Sequence, residues 1–274
     1  MFFTRSLRTG TGLMALAAVI LMLIISLGGC SDETISPTAV PQEKAPTLPD
    51  PAAITFDFSF FDGAAEMEKG GDGQHANFVN AYLRAVLLGA MADLTLSPPV
   101  GAFAVALRTV PAAQEDGAWI WTYDWHGYRY PLRIALRGLP AGDHVQWEMR
   151  IGPGGVDPTA LWFEGSTSGD GQQGHWLFHD LDDPTQPVCG EIAWGEDDTG
   201  RFLQFTSREM ESNGDVLRFN DAHPSYAITF TPGPGDGESF IRWNADGTGS
   251  LQVPDFNGGL EACWDQWQEN VDCR

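Results

Sequence analysis

The sequence predicts a mainly β protein, an antiparallel up-and-down meander of about ten strands, curled or closed into a barrel and preceded by one or two helices. Three observations predict it. Past Asp116 the apolar residues recur with period two, the spacing of half-buried strands. Turn sequences rich in Gly, Asp and Asn punctuate that region at short intervals. Connections this short make neighbouring strands antiparallel, because a parallel return needs a crossover of about a dozen residues.

At the amino end, Arg5 and Arg8 precede an apolar run from Leu13 to Leu27, broken by Ser26 and followed by Gly28, Gly29 and Cys30. Basic flank, apolar stretch and small residues are the three parts of a secretory signal. The run is shorter than the roughly 20 apolar residues of a membrane span, and no basic cluster follows to stop transfer. The tetrapeptide Leu27-Gly28-Gly29-Cys30 resembles the lipobox of bacterial lipoprotein precursors. That resemblance implies a signal peptide over residues 1–29, cleavage before Cys30, a diacylglyceryl group on the Cys30 sulfur and an acylated new amino end. Several acyl chains, at about 0.8 kcal/mol per buried methylene, then make the lipid bilayer a stable partner. The resemblance further implies a cell-envelope location. Ser31, with Asp32 only one later, favours the outer membrane where the host is Gram-negative.

Residues 30–53 carry Pro37, Pro41, Pro46, Pro49 and Pro51 without apolar periodicity. They read as a flexible tether of about 3.1 Å per residue when extended. The other reading is an edge segment lying on the domain, with a docked part near Phe56 to Phe61.

Residues 54–274 read as a single domain of helix plus β-meander. With 43% hydrophobic residues and 10 Trp it can fill a core, and 32 Gly with 18 Pro supply its turns. Loss of Arg5 and Arg8 with the leader moves the formal charge from −22 to −24. Nucleic acid is thereby excluded as a partner, since phosphate binding needs a basic face. The charge serves solubility, with a cation-collecting surface as the lesser reading.

From Ala76 to Asp93, Phe78, Tyr82 and Ala85 recur at helical spacing, and Val79, Leu83, Val86 and Leu87 broaden the stripe. A helix buried on much of its circumference is expected. Leu96 to Pro99 then break it, Ser97-Pro98 resembles a cap and first turn, and a short second helix follows up to Pro111. Ala102 to Arg108 is also readable as a strand.

Trp119, Trp121, Tyr123 and Trp125 alternate along the first strand, and Tyr128, Tyr130, Leu132, Ile134 and Leu136 along the next, with His126-Gly127 between them as a turn or bulge. Further strands are expected at His144–Ile151, Leu161–Glu164, Gly174–His179, Glu191–Trp194, Phe202–Thr206, Asp215–Phe219, Tyr226–Phe230, Ser239–Trp243 and Ser250–Val253. Gly142, Gly171, Gly200, Gly214 and Gly247 mark turns among them. Trp147, Met149 and Ile151 share one strand face. Gln146, Glu148 and Arg150 share the other, as Arg129, Arg133 and Arg137 do on the strand before. That predicts an apolar surface and an outward polar ladder.

Of the three cysteines left after lipidation, Cys263 and Cys273 are near enough in sequence to be the preferred disulfide in an oxidising compartment. Cys189 is the odd thiol, and its pairing with either of the others stays open. His175 and His179 share a strand face but stand about 13 Å apart there, too far for one metal. Asn244-Ala245-Asp246-Gly247 resembles part of a calcium loop without its closing glutamate, and reads better as a hairpin turn. No cofactor, metal site or catalytic nucleophile is expected, and the ligand-binding residues are not legible. Paired carboxylates such as Glu148 and Glu164 on neighbouring strands could act on a sugar bond, although among 37 acids some pair will face each other by chance. The expectation is a lipid-anchored envelope protein, structural or binding a ligand or partner rather than catalytic. The alternative is an anchored polysaccharide hydrolase.

Overall fold

The structure, a computed structural model, describes residues 44–50, 54, 58–61, 73–126, 131–210, 212–233 and 237–273, with only the backbone of 89–100 and 102. Cys30 and its lipobox lie outside the described residues. Among the described residues of the compact unit that begins at Lys44, one α-helix, α1 (Ala76–Ala106), precedes the sheet, with a 3-10 turn at Ser59–Phe61 before it. The strands are β1 (Ala112–Ala113), β2 (Trp119–Trp125), β3 (Leu132–Ala141), β4 (His144–Pro153), β5 (Ala160–Ser168), β6 (Gly174–His179) and β7 (Val188–Asp197). They continue as β8 (Gly200–Ser207), β9 (Val216–Ala222), β10 (Ser225–Thr231), β11 (Ser239–Asn244), β12 (Gly249–Gln252), β13 (Ala262–Trp264) and β14 (Asn270–Val271).

All 14 form one sheet in chain order, each strand antiparallel to the next. Each expected strand is present, and β1, β13 and β14 are additions of two or three residues each. Gly127 to Tyr130 and Arg129 among them fall outside the described residues. The turn signals are met by backbone conformation: Gly142 and Gly247 sit at φ of 71° and 94°, a region open to glycine because it lacks a Cβ. The sheet is not closed, since β1 and β14 do not pair. It curls instead, for α1 touches β2 near one margin and β12, β13 and β14 at the other.

Two expectations about the helices are corrected. The break at Leu96 to Pro99 does not occur, and α1 runs through Pro98 and Pro99 as one helix in place of two. An interior proline loses a hydrogen bond and crowds the carbonyl four residues back, at a cost of about 3 kcal/mol. The helix persists because its two ends are seated separately. Phe78, Ala81 and Ala85 pack among β9 to β13, while Phe103 and Ala106 pack among β2 to β8. Nor is its first half buried on much of its circumference. Phe78, Ala81 and Ala85 form the buried stripe, and Leu83, Val86 and Leu87 are 46, 46 and 61% exposed.

Alternation on the strands sends the large apolar residues to the helix side. Ile134, Leu136, Trp147, Met149, Phe163, Trp176, Ile192, Trp194 and Leu203 join Phe103 in one cluster; Phe219, Ile228, Ile241, Trp243, Leu251 and Trp264 join Phe61 and Phe78 in the other. The Phe103 ring lies parallel to Trp176 at 4.8 Å and stacks on Phe163 at 5.6 Å. Indoles on this face are opposed by glycines. Gly138 faces Trp147, Gly165 faces Trp176, Gly174 faces Trp194 and Gly249 faces Trp264 across the ladder. A Cβ on Gly138 would stand 2.6 Å from the Trp147 ring, and one on Gly165 2.7 Å from that of Trp176.

Part of the stretch read as tether is docked. Ala45 and Leu48 pack against the first cluster, and Pro49 is buried beside Gly171. Phe61 is buried as well, 5.2 Å from Trp243. At the carboxyl end, Cys263 and Cys273 lie at disulfide distance, with Cα atoms 5.3 Å apart. The loop they close holds the start of α1. Asn77 donates through Nδ2 to the Cys263 carbonyl at 2.7 Å, and the Asn270 amide donates to the Gln74 carbonyl at 2.8 Å.

Candidate functional site

With the helix side filled by aromatic rings, the polar chemistry lies on the opposite face of the sheet. Period-two alternation that buries Trp147 and Met149 turns Gln146, Glu148 and Arg150 outward, as the polar ladder required. Register then decides which of these groups meet.

Glu148 on β4 is directly opposite Glu164 on β5, which is opposite Leu177 on β6. The two acids therefore share one depression of about 350 Å³ with Arg137, Gln146, Ser166 and His175. Their surroundings differ. Glu148 accepts a hydrogen bond from Arg150 Nε at 2.6 Å, and Arg150 is held in turn by the Thr159 carbonyl at 2.8 Å. Glu164 faces His179 Nε2 at 3.4 Å. The His179 side chain is 10% exposed, and its Nδ1 must carry a proton because it donates to the Gln186 carbonyl at 2.7 Å. Nε2 is buried without a hydrogen-bond partner among the described residues, so only the doubly protonated ring has a proton to give Glu164.

His175 is committed elsewhere. Its Nε2 lies 2.9 Å from Glu191 Oε1 on β7, and Arg208 Nη2 donates to Glu191 Oε2 at 2.7 Å. The Arg208 guanidinium, with His175 beside it, holds the Glu191 carboxyl below its usual range. The two histidines thus serve different acids, as their separation along β6 required. No group of three His, Cys, Asp or Glu side chains suited to a metal ion occurs among the described residues. Asp246 turns its carboxylate onto the Thr248 amide and hydroxyl at 3.0 and 2.7 Å, completing the β11–β12 hairpin. Among the described residues Cys189 has no disulfide partner; it is half-buried, and raised in pKa by that burial and by Glu209 and Asp180 nearby.

No protein-family model matches this sequence, and neither a curated protein nor a solved structure is similar to it. The site is therefore read from its own groups.

A second and larger concavity of about 750 Å³ lies over β8 to β11 on the same polar face. Arg218 on β9 is its most tightly held group, bonded to Asn220, Gln204 and Asp197. Alternation puts Arg218 and Asn220 on the face opposite Leu217 and Phe219. Their partners on β8 and at the β7–β8 turn follow only from register. That is why Arg218, Glu191 and Arg208 were not singled out in the sequence.

Proposed function

We propose that the chain is an exported, lipid-anchored cell-envelope protein whose β domain binds a ligand or partner on the polar face of its sheet and performs no catalysis. The filled helix side is the observation that supports the binding part. Trp121, Trp147, Trp176, Trp194, Trp243 and Trp264 are each at most 3% exposed. A curled sheet packed in this way holds side chains rather than a lumen, apart from an apolar recess of about 180 Å³ beside Leu87, Leu88, Ile228 and Ile241, and recognition falls to the outward face. These six rings are spent in the core and are not free to stack on a sugar.

The anchoring part rests on Leu27-Gly28-Gly29-Cys30 and the leader before it. Cys30→Ala should move the mature chain from the membrane fraction to the soluble fraction, and mass spectrometry of the native protein should find Cys30 acylated and residues 1–29 removed. Unchanged retention, or an intact leader, would refute the anchor.

The hydrolase reading is favoured by one specific observation, the direct opposition of Glu148 and Glu164 in a depression. Its test is the release of reducing ends from a panel of polysaccharides. Release that disappears in both Glu148→Gln and Glu164→Gln would replace the non-catalytic reading.

A further inference from the structure

The trough over β8 to β11 has a low floor between two raised walls. Ala227 and Thr229 on β10 supply the floor. Each wall is an arginine laid over a phenylalanine ring: Arg218 over Phe202 at 4.2 Å on one side, Arg242 over Phe240 at 3.8 Å on the other. The register sets Arg218 opposite Thr229 and Arg242 opposite Ala227, so the walls stand two strand spacings apart, about 10 Å.

The two arginines differ in how their donors are used. Arg218 gives Nε to Asn220 Oδ1 at 2.9 Å, Nη1 to Gln204 Oε1 at 3.2 Å and Nη2 to Asp197 Oδ2 at 2.6 Å. Arg242 makes no hydrogen bond or ion pair with any described residue. Its cross-strand neighbours are Ala227 and Ser250, neither of them acidic. Among the described arginines only Arg108 and Arg201 share this lack of a carboxylate partner, and neither lines the trough. Arg133, Arg137, Arg150, Arg208 and Arg218, all on or beside the sheet, each have a carboxylate within 3.3 Å. A guanidinium that rests over a ring, as Arg242 does 3.8 Å from the Phe240 centroid, is oriented while keeping its donors. It is suited to take a planar pair of oxygens bidentately.

We infer that the trough binds a polyhydroxylated ligand carrying a single oxyanion, with Arg242 taking the anion and Asn220, Thr229 and Gln204 meeting the hydroxyls. Its volume suits a molecule of one or two sugar rings. Glu238, which also lines the trough, opposes a second negative charge, which disfavours a densely anionic polymer and leaves one anion beside Arg242. Carboxylate and phosphate share the required chemistry. The inference rests on the polar face being the binding side and is independent of the lipid anchor and of the Glu148–Glu164 depression.

The test is calorimetric titration of the full chain in detergent with cellobiouronic acid, glucose 6-phosphate and neutral cellobiose. At least one anionic sugar should bind about tenfold or more tightly than cellobiose, and Arg242→Gln should remove that advantage. Tighter binding of the first identifies a carboxylate source, and of the second a phosphate source. Thr229→Trp, which fills the floor and leaves Arg242 in place, should abolish binding and covers the case in which the arginine variant does not fold. Equal affinity for all three sugars, no binding of any, or unchanged binding in both variants would overturn the inference. Any of these outcomes would leave membrane anchoring untouched.

Discussion

Gly174 stands directly opposite Trp194 in the β6–β7 register, and the indole occupies the space that a side chain on Gly174 would need. The pairing works because a large ring lies flat over a position with no Cβ, so both strands keep their ladder. Gly174→Val should lower stability by about 1–3 kcal/mol through overpacking. Urea denaturation checks it, and an unchanged midpoint would show that Trp194 can move aside cheaply.

Phe103 carries the far end of α1 into the aromatic cluster and is fully buried. Phe103→Ala should cost about 3–5 kcal/mol. By contrast, Leu87→Ala, on the exposed stripe of the same helix, should change stability by no more than about 0.5 kcal/mol. Thermal unfolding of the two variants separates them; equal losses would contradict the seating of α1 described above.

The Cys263–Cys273 bridge spans a separation of 10 residues. Its removal in Cys263→Ser should cost about 2–3 kcal/mol. Because Asn77 and Gln74 bond into that loop, the amides at the start of α1 should also lose hydrogen-exchange protection before those of the central strands. Uniform loss of protection would argue against the strap.

Glu191 links stability to pH. Its carboxyl is held below the usual 4.5, first by the hydrogen bond from Arg208 and then by His175. A depressed pKa in the folded state means stabilisation that is present above about pH 4.5 and lost as the pH falls through the lower folded value. Glu191→Gln should therefore be less stable at pH 7 by on the order of 1 kcal/mol, and the difference should shrink as the pH is taken below the usual 4.5. Denaturation midpoints at the two pH values test this, and parallel losses on acidification would exclude it.

The strand pattern was legible because alternation and turn chemistry act within a few residues. Trp147 and Met149 against Glu148 and Arg150 is a local signal, and burial followed it. The short strands β13 and β14 were not legible, since Ala262–Trp264 and Asn270–Val271 are too brief for any period to register. The prolines in α1 misled because their local cost is overruled by packing at distant residues, Phe78 and Phe103. Of the candidate site, the facing of Glu148 and Glu164 followed from neighbouring hairpins. The free state of Arg242 depends on Ala227 and Ser250 being its neighbours, which only the full register reveals.

Both margins of the sheet taper to strands of two residues, Ala112–Ala113 and Asn270–Val271. A sheet edge recruits other chains in proportion to the length of unpaired backbone it offers. Here another copy finds almost no template to extend. Crowding at high local density therefore favours neighbours that slide past one another over chains stitched into a continuous ribbon.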